Sequence, residues 1–270
     1  MGRLFRAFFF KIRKEPSFKI TLIVGASVAL VMSLLYLLVD KTDGSHLLSG
    51  PNMLLNSTSP VSNFGIAIPI NLVSFTCLEF TQGTIRNKII AGNSKFKIYV
   101  SLFLTGLIYT FALLIVYVGV CTLLGVIFGG FDFRQAVMVG IYGAGYPNPT
   151  IIAQVLIVSL CIYVFLTSLA VFVGTTFRTV GPTISVVVVV ILLAYFGSVI
   201  AMAAFRDNES VLTIFKVADP MYALIDILPD AGGNLCYESS TFVLSIVSNL
   251  VYATIFFVAG SLIFKHRDVK

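Results

Sequence analysis

The amino-acid sequence predicts an all-α polytopic membrane protein, and three observations carry that reading. Of 270 residues, 58% are hydrophobic and only 11% charged, with mean hydropathy +1.00. Apolar runs of 18 or more residues recur along the chain, each long enough to cross a bilayer as a helix. The period-two alternation of a transmembrane barrel is absent, so the backbone polar groups must be satisfied within helices.

Taken in order, residues 2–14 place Leu4, Phe5, Phe8, Phe9 and Ile12 on one helical face and Arg3, Arg6, Lys11 and Lys14 on the other. This pattern predicts an interfacial helix anchored on an anionic membrane surface by those four cations and ended by Pro16. No small-residue cleavage site follows, and Arg6 stands where a myristoylation signal needs Ser or Thr. Six spans are expected at roughly 20–39, 64–80, 97–128, 150–176, 182–204 and 241–264. The third would reach ~46 Å as a helix, beyond the ~30 Å hydrocarbon core, so it tilts, projects or bends near Gly119 or Gly125. Pro182, at a first-turn position after the turn at 177–181, starts the fifth. Residues 131–145 are semi-apolar, too short and too Gly-rich to span, and fit an interfacial or re-entrant piece. Asp219-Pro220 reads as an N-cap and first-turn proline, predicting a short outer-leaflet helix that ends near Pro229. Residues 1–270 are treated as one transmembrane domain.

Loop charges orient the chain. With both termini, 81–97 and 177–181 on the cytoplasmic side, 14 of the 18 Lys and Arg lie inside and 9 of the 12 acids outside. That is the inside-positive arrangement. The net charge of +6 therefore reflects topology, and no stacking platform or basic face calls for nucleic acid. Cys77, Cys121 and Cys161 lie in apolar runs and Cys236 in a polar loop, without metal or redox spacing. Asn56-Ser57-Thr58 and Asn208-Glu209-Ser210 match the glycosylation tripeptide, a pattern frequent by chance.

Between two of the spans, residues 79–97 read EFTQGTIRNKIIAGNSKFK, a polar and basic segment with its own helix punctuation. Thr84 is the expected N-cap, Gly92-Asn93 the stop, and Ser94 the cap of the next helix. Ile85 and Ile89 share a face, while Arg86, Asn87 and Lys88 are expected to turn to water. A short basic helix of this kind suits contact with a partner; the plain alternative is a charged loop that only fixes topology. Glu79, at the end of the second span, reads either as a snorkelling carboxylate or as a gate contact paired with a base such as Arg86 or with the interfacial helix.

The missing chemistry also narrows the function. No Asp, Glu, Lys, Arg or His falls within the six expected spans away from their ends, which weighs against a proton relay. Sodium held by carbonyls alone remains compatible with this composition. His46 and His266 lie in a loop and the tail, and no metalloprotease, nucleophile or phosphate-loop motif is present. The chain is thus expected to be neither an enzyme nor a metal or cofactor binder, and any ATP-driven step belongs to another polypeptide.

The basic N-terminal helix, Glu79 to Lys88 (EFTQGTIRNK), the long third span, the helical outer loop and the closing FKHRDVK together resemble permease subunits of type-2 (exporter) ABC transporters. The similarity runs along nearly the whole chain, and the segment after Glu79 is its most specific part. It implies a type-2 exporter fold in a bacterial plasma membrane, in which Thr84, Ile85, Arg86, Asn87, Lys88 and Ile89 form the coupling helix that contacts an ATPase subunit, with Glu79 near the cytoplasmic gate. It also implies two ATPase chains carrying ATP and Mg, and a second permease chain, identical or related. The similarity is greatest to small bacterial permeases that export bacteriocins, lantibiotics or cytolytic peptides such as phenol-soluble modulins. A hydrophobic or amphipathic peptide or drug would then be the substrate, moved by alternating access. An ion-coupled carrier, or a non-transporting peptide immunity or sensor protein, are the alternatives from other classes.

Overall fold

The computed structural model describes residues 6–7, 9–10, 14, 16–43, 48–60, 67–132, 148–205, 208–224, 227–229, 235–237 and 239–266. Its helices are α1 (Pro16–Asp43), α2 (Gly50–Thr58), α3 (Ala67–Thr81), α4 (Thr84–Ile90), α5 (Lys95–Gly129), α6 (Pro149–Phe177), α7 (Val180–Ala204), α8 (Glu209–Ala218) and α9 (Ser239–His266). A 3-10 turn, Tyr222–Leu224, and a hairpin of β1 (Ile227–Pro229) with β2 (Leu235–Tyr237) precede α9. Helices α1, α5, α6, α7 and α9 are long and apolar enough to cross a membrane. The chain is therefore an all-α polytopic membrane protein.

Local sequence explains most helix ends. Ser94 caps α5 by accepting the Lys97 amide at 3.4 Å. Asn148 caps α6 by accepting the Ile151 amide at 2.8 Å, with Pro149 in the first turn. Arg178 closes α6 in the left-handed region, at φ 61°, so α6 and α7 meet in a tight corner. At the amino terminus Arg6, Ala7, Phe9, Phe10 and Lys14 are helical and exposed, with the Lys14 ammonium 4.6 Å from the Phe10 ring centre. Arg3 and Lys11 of the expected membrane anchor lie outside the described residues.

Helix α6 is the hub, packed against α3, α5, α7 and α9. Small and hydroxylated residues let its neighbours approach closely. The Thr167 and Thr110 hydroxyls meet at 3.1 Å across α6 and α5, and Ser168 donates to the Ala253 carbonyl of α9 at 2.7 Å. A methyl group added at Gly174 would meet Thr76 Cγ2 of α3 at 2.8 Å. The basic ends of the helices gather at one end of the bundle: Lys95 donates to the Lys265 carbonyl at 3.2 Å, and Arg178 lies over the Phe80 ring at 5.4 Å.

One expectation is met in part and one is corrected. Of the second span, expected over 64–80, the structure describes α3 over Ala67–Thr81, and 61–66 lie outside the described residues. The described part of α3 is shorter than the five long apolar helices. Ahead of it lies α2, which sequence reading leaves as loop. Pro51 sits in the first turn of α2, and Ser59, held extended before Pro60, ends it. The Gly50 amide donates to the Gly130 carbonyl at 2.8 Å, and Gly125 of α5 admits Met53. Lower on α5, Leu72 of α3 faces Gly106, and Phe75 stacks on Tyr109 at 5.8 Å. Helices α2 and α3 thus lie in tandem along α5, which runs as one helix through Gly119 and Gly125. Ser57 and Thr58 of the glycosylation tripeptide are buried and bonded to the Met53 and Leu54 carbonyls.

The correction concerns the helix expected from Asp219 to near Pro229: the described residues there form only the 3-10 turn Tyr222–Leu224 and then β1. Helix α8 ends at Ala218, and Asp219 accepts the Met221 amide at 2.9 Å, as an N-cap does, and the Ser198 hydroxyl of α7 at 2.5 Å. Asn249 of α9 donates to the Pro220 carbonyl at 3.1 Å, and Tyr252 to the Ala218 carbonyl at 3.0 Å. These tertiary bonds tie the segment to α7 and α9. Ala218, Pro220 and Met221 line a cavity with Phe165, Val190, Ile191 and Tyr252, residues at the middle of α6, α7 and α9. The segment therefore enters the bundle instead of lying on its surface. The re-entrant piece expected over 131–145 lies, past Asp132, outside the described residues.

The Gly174 contact sets a stability prediction. Gly174→Ala should lower the melting temperature in detergent, because overpacking of ~1–3 kcal/mol exceeds the ~1 kcal/mol gain in helix propensity. Thr76→Ser, which deletes the opposing methyl, should restore part of the loss. Gly119→Ala, whose added methyl meets nothing within 4 Å, should cost nothing.

Candidate functional site

The corner between α3 and α4 is the most constrained polar cluster at the basic end. The last turn of α3 closes with the Gln82 amide on the Leu78 carbonyl and the Gly83 amide on that of Phe80, both at 3.0 Å. Gly83 then adopts φ 67°, a region that glycine enters without steric cost. This reverses the chain, so that α4 folds back beside the residue that ends the span.

That residue is Glu79, whose side chain is 0% exposed. Lys88, one helical turn along α4, brings its Nζ to 3.0 Å from Oε2. The Thr84 hydroxyl lies 2.5 Å from the same oxygen and 2.8 Å from the Glu79 carbonyl. A carboxylate held out of water needs this kind of compensation, a cation and a neutral donor together. Ile85 completes the attachment from below: it is fully buried, and Ile89 is half-buried beside it.

The expected residues are therefore brought together, with altered roles. Gly83, not Thr84, is the N-cap position; Thr84 is the first helical residue and turns its hydroxyl to Glu79. Lys88, not Arg86, pairs with Glu79, so it does not turn to water as expected. Arg86 and Asn87 are exposed, as is Ile90, at 74%. The stop holds as expected: Gly92 is left-handed at φ 83°, and Asn93 returns both its amide and its side chain to the Lys88 carbonyl.

Sequence reading missed Arg178. Its guanidinium lies over Phe80, the neighbour of Glu79, and Phe80 in turn makes an edge contact with Phe264 of α9 at 6.0 Å. Tyr99 of α5 meets Phe264 at 6.1 Å. The corner is thereby joined to the α6–α7 turn, the end of α9 and the start of α5. The available signal was a lone arginine in a five-residue turn between two apolar runs, where a cation–aromatic contact offers it a partner.

Compared with protein families, curated proteins and solved structures, the chain matches none. The site must be read from its own geometry. Among the described residues no three His, Cys, Asp or Glu side chains come together. What the corner does provide is a mechanical attachment: α4 is fixed to α3 from its inner side while its outer side stays open.

The attachment gives an order of effects on thermal unfolding in detergent. Lys88→Met leaves an enclosed carboxylate without its cation and should cost more than Glu79→Gln, on the order of 1–3 kcal/mol. The double variant should recover part of that loss. Equal and additive effects would mean that the pair does not hold the corner together.

Proposed function

We propose that the chain is the transmembrane subunit of an ATP-driven exporter, with α4 as the element that receives motion from a separate ATPase chain. The observation that carries this reading is the two-sided build of α4. Its inner side is tied to α3 by Glu79, Thr84 and Ile85, and its outer side presents Arg86, Asn87 and Ile90. A short helix fixed in this way transmits displacement to α3, whereas a loop that served only to fix charge topology needs no such internal attachment. In this reading both termini and α4 are cytoplasmic, ATP and Mg are bound by the partner, and a second permease chain completes the path. The tandem of α2 and α3, with a combined rise of ~36 Å, would make the remaining crossing of six. An amphipathic peptide or hydrophobic drug is the proposed substrate class.

The partner test follows from which side chains are free to bind. Arg86→Glu combined with Ile90→Asp alters the outer side and leaves the Glu79–Lys88 pair intact. Purified from its native host in mild detergent, the wild-type chain should bring down an ATPase subunit, and this variant should lose it without losing thermal stability. Absence of any ATPase with the wild type would overturn the proposal.

A second reading gains support from Asp219, a partly buried carboxylate that accepts the Ser198 hydroxyl of α7 and the Met221 amide. An ion-coupled carrier needs such a group within the bundle. It predicts transport by vesicles containing this chain alone under a proton gradient, abolished by Asp219→Asn. The exporter reading predicts no transport there without ATP and a partner.

A further inference from the structure

One lipid-facing cavity is built differently from an ordinary groove between helices. It has a volume of about 410 Å³ and lies between α2, α5 and α6. Leu54 and Thr58 form its α2 wall, Leu114 to Thr122 its α5 wall, and Leu156 and Leu160 its α6 wall. The α5 wall runs along ~12 Å of helix, all on the Gly129 side of that helix's midpoint. Two features open it. Gly119 contributes no side chain, and a methyl group added there meets nothing within 4 Å. The short α2 covers the cavity from above and leaves its flank open.

The lining is apolar except for hydroxyls, and their hydrogen bonds distinguish them. Thr58 donates to the Leu54 carbonyl of its own helix at 2.7 Å. The Thr122 hydroxyl oxygen is buried and has no hydrogen-bond partner. A hydroxyl enclosed in an apolar wall is costly unless an acceptor reaches it. A comparable cavity of about 350 Å³ between α5, α6 and α9 has one hydroxyl, Thr254, and it is already bonded to the Leu250 carbonyl. Of these two cavities, only the first has a lining hydroxyl without a partner; its oxygen is covered as it stands, and rotation about the Thr122 Cα–Cβ bond turns it toward the open volume.

We propose that this cavity holds one acyl chain of a bilayer glycerolipid, and that Thr122 changes rotamer to donate to the ester carbonyl at the head of that chain. The occupant follows from the position. The cavity opens on the flank of membrane-crossing helices, where lipid is the surrounding medium. An aliphatic chain matches the apolar wall, and the ester supplies the single acceptor that the wall lacks. The bound lipid would wedge between α2 and α5, whose approach at Gly125 and Met53 is already close, and would steady the short helix.

The sequence makes the test clean, because the chain contains no tryptophan. A single Ile115→Trp, at the 71% exposed rim of the cavity, reports occupancy through quenching by phosphatidylcholine brominated on its acyl chains. Leu193→Trp, on the open flank of α7 at 68% exposure, reports ordinary boundary lipid. In mixed vesicles the Ile115 probe should be half-quenched at a several-fold lower fraction of brominated lipid than the Leu193 probe. Gly119→Leu, which fills the cavity, should abolish that difference; Thr122→Val and an ether-linked brominated lipid should each reduce it. If Gly119→Leu does not fold, the last two arms carry the test. Equal quenching of the two probes would mean boundary lipid only and overturn the proposal. An Ile115 probe shielded from all brominated lipid would mean that protein, such as a second copy, covers the cavity, and would overturn it as well. A difference unchanged by both Thr122→Val and the ether lipid would overturn the assignment of the ester contact.

Discussion

The close seating of neighbours on α6 is the constraint on which the remaining structure depends. In hydrocarbon, helices gain little from hiding apolar side chains, so their association rests on packing contact and on hydrogen bonds between helices. Both are concentrated on α6. Thr76 of α3 lies over Gly174, Thr110 of α5 meets Thr167, and Ser168 reaches across to the Ala253 carbonyl of α9. Three helices are thereby registered along one, and the long apolar flanks of α1, α5, α7 and α9 are left on the outside. The surface of the bundle is apolar because its interior takes the small and hydroxylated residues.

Against that background Glu79, fully buried, and Asp219, partly buried, are unlike each other. Glu79 has a cation, Lys88, at contact distance and a hydroxyl beside it. Asp219 is held by a hydroxyl and a backbone amide, both neutral. The first arrangement is suited to a permanent joint between two helices. The second ties α7 to the segment after α8, and Asn249 and Tyr252 tie that same segment to α9. One carboxylate therefore joins α3 to α4 at the basic end of the bundle, and the other joins α7 to the segment after α8.

Much of this architecture was legible in the sequence, for reasons that also explain the errors. Long apolar runs, Ser94 before α5, the glycine–asparagine stop after α4 and Pro182 in the first turn of α7 are local signals, and local signals survive into the fold. Helix α2 was missed because hydropathy averages over windows, whereas α2 has Pro51 in its first turn and Pro60 just past its end, and its nine residues include Asn52, Asn56, Ser57 and Thr58. Polar residues there suggested a loop; their hydroxyls instead return to helical carbonyls. Asp219-Pro220 carried a sound helix-start signal and Asp219 does accept the Met221 amide, but the turn that follows is short, and the ties to Ser198 and Asn249, far away in sequence, were not legible. In the corner at Glu79, the residues were found and the pairing was not. Periodicity places Lys88 on the polar side of α4, and only the reversal at Gly83 brings that side over a buried carboxylate.

That reversal has a mechanical consequence under the exporter reading. Extended Ser59 and Pro60 lie before α3, and the turn at Gly92 lies after α4; between these breaks the two helices are locked by Glu79, Thr84 and Lys88. Residues 67–90 can then act as one angled body, with a short arm at α4 and a longer arm at α3. A push on the outer side of α4 tilts α3, because the joint at Gly83 is clamped by a buried charge pair and Ile85 is held in the core. The far face of that lever bears on Gly174 of α6 and, through Asn71 and Phe75, on Thr21 and Tyr109. In that reading α2 stays packed at the Gly125–Gly130 end of α5 while α3 and α4 would tilt together, the clamped corner keeping their angle fixed.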